Sequence, residues 1–129
     1  MPNAGYINSQ GGSFGFKAPK GTGQKESQFP YFDAPAVTLS SNAADVELVH
    51  SETLIDLSAS NLAANASLNL TVNAPVGAKL YVKAKSGGTA YNVVLKDADG
   101  SNTYATLSGT ANTTKFFTLL WDGSAFNLV

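Results

Sequence analysis

The chain contains a single histidine and no cysteine, and all eight of its basic residues are lysine. Those absences limit the chemistry at once. Without cysteine there is no thiolate nucleophile, no disulfide framework and no cysteine metal site. A Ser-His-Asp relay would have to run through His50, yet the sequence holds no Gly-x-Ser-x-Gly elbow to present a nucleophile, so His50 reads as a strand-edge histidine. A glycosidase needs two carboxylates facing each other across a cleft. Asp45, Glu47, Glu52 and Asp56 are close together, but their alternating spacing beside loops places them on solvated outer faces of strands. The stretch Asp97-Ala98-Asp99-Gly100-Ser101-Asn102 matches the first half of an EF-hand calcium loop, whose second half requires a bidentate acid at the twelfth position and flanking helices. Here the twelfth position is Ser108 and strand patterns flank the loop, so a tight turn is expected. Gly11-Gly12 and Gly87-Gly88 do not join a strand to a helix, so no phosphate loop is implied. Trp121, the sole tryptophan, is expected to pack across its hairpin against Phe126, with sugar stacking as the other use of such a ring. The expectation is a non-enzymatic protein with no cofactor and no metal.

At 129 residues the chain has room for one domain and an appended segment. Only 13% of its residues are charged, about half the usual share of roughly a quarter, and the formal charge is -1 with no basic block. Neutralising phosphates takes clustered positive charge, so electrostatic binding of nucleic acid is not expected. Weak net repulsion suits a protein that lives in an assembly. No run of about 20 apolar residues is present to cross a membrane, and the polar stretch after Met1 carries no signal-peptide pattern. Sequons begin at Asn65, Asn69 and Asn112, which chance explains in a chain so rich in Asn, Ser and Thr.

The composition divides the chain near Ala36. Residues 1–36 hold six of the twelve glycines and four of the five prolines, a density of breakers that no helical or strand periodicity survives. They also hold six of the thirteen aromatic residues, Tyr6, Phe14, Phe16, Phe29, Tyr31 and Phe32, whereas disordered linkers are poor in rings. An extended arm that becomes ordered on a partner is expected, with those six rings as its anchors; an arm folded back on its own domain and a disordered segment are the other readings. Residues 37–129 change to short alternating runs such as Leu68, Leu70, Val72 and Leu80, Val82, Ala84. Turn signals separate the runs: a turn or loop at Asn73–Gly77, hairpin connections at Ser86–Thr89 and Asp122-Gly123, and a tight turn between strands at Asp97–Ser101. Eight or nine strands at a spacing near ten residues, with only Leu62–Ala66 showing any helical propensity, predict an all-β domain, an antiparallel sandwich or jelly roll.

The succession Leu68-Asn-Leu-Thr-Val-Asn-Ala-Pro-Val-Gly-Ala-Lys-Leu-Tyr-Val-Lys-Ala, followed by Tyr91-Asn-Val-Val-Leu and by Phe117-Thr-Leu-Leu-Trp-Asp-Gly-Ser-Ala-Phe-Asn-Leu-Val129, resembles the small β-domains of tailed-bacteriophage virion proteins. Those domains pair a strand with a polar-x-Gly turn and end in a Trp/Tyr-Asp-Gly hairpin. The resemblance covers roughly residues 54–129. It implies a structural virion protein, either a capsid decoration or cement protein, a head fibre or a tail-fibre tip. It further implies a trimer, with the major capsid protein or other virion proteins as partners; from the charge and the lack of an apolar span, neither nucleic acid nor membrane is expected as a partner. The alternative is a host-receptor or carbohydrate-binding module, for which Tyr81, Tyr91, Tyr104 and Trp121 are the candidate contacts. The expected location is the virion, after synthesis in the host cytoplasm.

Overall fold

The computed structural model describes residues 32–129. Nine strands make up the fold, and no helix occurs among the described residues. They are β1 (Phe32–Asp33), β2 (Ala43–Leu48), β3 (Glu52–Leu62), β4 (Ala66–Val72), β5 (Lys79–Ser86), β6 (Val93–Asp97), β7 (Thr103–Leu107), β8 (Thr114–Trp121) and β9 (Phe126–Leu128). A five-stranded sheet has the order β1-β3-β5-β8-β9, and a four-stranded sheet has the order β2-β4-β6-β7.

Period-two alternation is the reason these segments are strands with one dry face. In β4 Ala66, Leu68 and Leu70 are buried while the residues between them reach solvent. In β5 Leu80, Val82, Ala84 and Ser86 point inward, between Tyr81, Lys83 and Lys85. Register carries the apolar rows across strands. Leu68 lies beside Ala44 and Leu95, and Val82 lies between Ile55 and Phe117. The inner residues of both sheets form one core, in which Ile55, Leu68, Leu95, Leu107 and Leu119 are completely buried.

The strand pairing corrects the expected antiparallel arrangement, because both sheets are mixed. The pairings β1 with β3, β2 with β4, β3 with β5 and β4 with β6 are parallel, and only the last strands of each sheet pair antiparallel. From β1 to β6 each strand lies in the sheet opposite to its predecessor. Parallel neighbours need a crossover, usually a helix. Here a strand of the opposite sheet serves as the crossover. For the same reason Ser86–Thr89 is not a hairpin: it begins the passage from β5 in one sheet to β6 in the other. The tight turn expected at Asp97–Ser101 joins the antiparallel β6 and β7, and the hairpin expected at Asp122-Gly123 forms with Gly123 at φ +99°. Leu62–Ala66, the one stretch with helical propensity, forms no helix: Leu62 ends β3, Ala66 begins β4 and residues 63–65 connect them.

The folded unit begins earlier than Val37. Phe32 and Asp33 pair with Glu52 and Thr53. From there to Ser40 burial alternates residue by residue, with Asp33, Pro35, Val37 and Leu39 on the more buried side. This strap carries the chain from the first sheet to the second.

Candidate interaction face

The two sheets present outer faces of different chemistry. On the four-stranded sheet the outward residues of β2 and β4 are polar, and they bond to one another. Asn69 donates from Nδ2 to Asp45 Oδ1 at 3.0 Å, and Asn73 donates from Nδ2 to Glu47 Oε2 at 3.0 Å. Ser67, Thr71 and Thr106 continue that surface, with the apolar Ala43 and Val94 in the same row as Ser67 and Thr106.

On the five-stranded sheet three cross-strand rows face outward. The first is Phe32, Glu52, Lys79, Leu120 and Asn127, the second Leu54, Tyr81 and Thr118, and the third Asp56, Lys83 and Phe116. Phe32 is 54% exposed, Phe116 58% and Leu120 38%, although all three are large apolar side chains. The Tyr81 and Phe116 rings are diagonal neighbours with centroids 5.9 Å apart. Charge lies among the rings: the Ser58 hydroxyl and backbone N–H, with help from Lys83, hold the Asp56 carboxyl below its usual range. Exposed rings and aliphatic groups are thus interleaved with lysine and carboxylate across this face.

The expected chemistry-bearing groups are separated. Asp45, Glu47 and Asp56 are exposed, as the alternation predicts, while Glu52 is half-buried. Asp45 and Glu47 belong to one sheet, Glu52 and Asp56 to the other. His50 Nε2 lies 3.7 Å from Asp33 Oδ2. The Asp97 loop is a turn whose carboxylate is consumed locally. It accepts from Asn102 Nδ2 at 2.7 Å and from the backbone N–H of Ser101 at 3.0 Å, while the Gly100 N–H closes on the Asp97 carbonyl. The Asn102 amide contributes most to holding the Asp97 carboxyl down at about 2. Asp122 works the same way, accepting the N–H groups of Ala125 and Ser124 and the Asn127 amide, with its carboxyl again held low. Among the described residues no group of three or more His, Cys, Asp or Glu side chains is placed to hold a metal ion.

The four candidate sugar contacts do not converge. Tyr81 lies on the outer face, Tyr91 packs partly buried against the core, and Tyr104 and Trp121 meet inside. Trp121 is 8% exposed and tilts against Phe126 at 4.8 Å, the packing expected of it. Tyr104 joins from the other sheet, edge-on to Trp121 at 5.4 Å and to Phe126 at 5.9 Å. Of the arm anchors, Tyr6, Phe14, Phe16, Phe29 and Tyr31 lie outside the described residues, and Phe32 sits at the edge of the apolar face. Sequence reasoning did not single out Phe116 or Leu120. The outward parity of Phe116, Thr118 and Leu120 against buried Leu119 was the available signal.

Comparison with protein-family models, with curated proteins and with solved structures found no match for this chain.

Proposed function

We propose that this protein is a non-enzymatic structural protein of a bacteriophage virion, attached to the capsid as a decoration or cement protein through residues 1–36. On this reading the mixed sheets are the two layers of a β-sandwich, and the assembled form is a trimer. The observation that carries the proposal is the unequal pair of outer faces. One is a polar, self-bonded surface suited to solvent, and the other offers Phe32, Tyr81, Phe116 and Leu120 for burial. The aromatic-rich composition of residues 1–36 supports attachment over a long path, in which many copies bind side by side. The receptor or carbohydrate reading loses its main support, because its four ring candidates are dispersed between the core and one face.

The test is quantitative mass spectrometry of purified virions from infected cells that make this chain. The reading expects the protein in particles at a fixed ratio to the major capsid protein, and expects alanine at Tyr6, Phe14, Phe16, Phe29, Tyr31 and Phe32 to abolish incorporation. Particles lacking the wild-type chain would overturn it. Binding to a glycan array at micromolar strength, with no incorporation, would establish the alternative.

A further inference from the structure

At the start of β2 the chain builds a hairpin and then abandons it. Ser40 and Ala43 exchange backbone hydrogen bonds of 2.8 and 3.1 Å around Ser41 and Asn42, whose φ angles are +52° and +63°. Two central residues in the left-handed region make the tight turn that normally opens an antiparallel ladder. Here the ladder ends after one pair. The strap turns away, with Val37 and Leu39 packed against the core. Pro35, further back, has no N–H to offer. The strap and β2 therefore border an open wedge of about 640 Å³, lined by Pro35, Val37 and Thr38 on one side and by Ala44, Asp45 and Glu47 on the other.

Among the described residues the β2 side of that wedge is an unpaired strand edge. The carbonyls of Asn42 and Leu48 accept from the N–H groups of Ser67 and Asn73, so the even-numbered residues of β2 direct their backbone toward β4. Backbone groups alternate sides along a strand, which turns the N–H and C=O of Asp45 and Glu47 into the wedge. No other described strand pairs with β2. The side chains select the occupant. An antiparallel second copy of β2 centred on Val46 would set Asp45 against Glu47 twice, and like charges directly opposite repel. A strand with lysine or arginine at alternate positions instead meets two carboxylates that Asn69 and Asn73 already hold in place.

We propose that the wedge between the strap and β2 receives an extended, basic segment of a partner protein, which adds to β2 as a strand. Its backbone bonds to Asp45 and Glu47, its basic residues pair with their carboxylates, and its intervening apolar residues face the Val37 side. This docking mode uses main-chain bonds for strength and alternate side chains for choice. It goes beyond the virion reading, because it concerns a different surface and holds or fails whatever particle the protein belongs to.

The experiment titrates the full chain with a capped octapeptide of alternating lysine and valine, following amide hydrogen exchange by NMR. Binding is expected to slow exchange at Asp45 and Glu47 while leaving Ala44 and Val46 unchanged. The same peptide N-methylated at alternate amides should not bind, and Asp45→Asn with Glu47→Gln should weaken binding about tenfold. Three results would each overturn the proposal: no binding at millimolar peptide, equal binding of the N-methylated peptide, or protection that maps to Tyr81 and Phe116 instead.

Discussion

Trp121 is the side chain whose removal tests the architecture most directly. It belongs to the five-stranded sheet, is almost fully buried, and meets Tyr104 of the four-stranded sheet edge to face. Trp121→Ala leaves a large void that its neighbours fill only in part, at a cost of about 3–5 kcal/mol. Each ring pair adds about 0.5–1.5 kcal/mol beyond area burial. A domain of this size has a total stability of about 5–15 kcal/mol. At about 4–8 °C per kcal/mol the melting temperature should fall by about 12–40 °C. Circular dichroism during urea unfolding gives the cost, since the variant has no tryptophan left to fluoresce. A double-mutant cycle with Tyr104→Ala should return a coupling of about 0.5–1.5 kcal/mol, while Trp121→Phe keeps a ring in place and should cost less than half as much. A loss below about 1 kcal/mol, or zero coupling to Tyr104, would refute the view that these rings join the two sheets.

Gly109 should not tolerate alanine. A Cβ there would overlap the Tyr91 carbonyl oxygen and sit 3.0 Å from Ser86 Oγ, so Gly109→Ala should cost about 1–3 kcal/mol in chemical unfolding. A neutral result would mean that the backbone at Tyr91 yields freely. The Asp97 carboxyl is held at about 2, below its ordinary 3.8, so it stabilises the fold above its unfolded pKa, and that contribution is lost as pH falls from about 4 toward 2. Asp97→Asn should flatten the stability profile over that window; an unchanged acid limb would show that other carboxylates govern it. Phe116→Ser should shift stability by no more than about 1.5 kcal/mol, since the ring is mostly exposed and its loss removes one contact with Tyr81. A larger loss would show that the outer face is held together like a core.

The strands themselves were legible in the sequence. Leu68, Leu70 and Leu80, Val82, Ala84 alternate so cleanly that only a sheet with one dry face suits them. Asp122-Gly123 marked its hairpin, because glycine alone takes φ +99° without strain. The partner of each strand was not legible. Alternation states which side of a strand is dry, but β3 and β4 read alike whether they pair with each other or lie in opposite sheets. Turn residues misled at Ser86–Thr89, because glycine permits a hairpin and a crossover equally. The Ser41-Asn42 turn left no glycine to announce it, and asparagine is the only hint of its positive φ. The apolar face was recoverable in principle, since buried Leu119 requires Phe116 and Leu120 to point outward. Seeing it needed the certainty, which the sequence lacks, that β8 is not covered on both sides.

The alternation of the chain between sheets also dictates how the protein reaches this structure. Each parallel pairing joins residues 20 to 27 positions apart, so no neighbouring strands in the first half zip together locally. High contact order delays folding, because loop closure must precede the contacts that reward it. Among the described strands only β6 with β7 and β8 with β9 are short-range pairs, and both lie after residue 92. Refolding should therefore take milliseconds to seconds. A stopped-flow trace should show it slowed by changes at the Asp122-Gly123 hairpin more than by changes in β2, so that β8 and β9 find their places before the strands that precede them do.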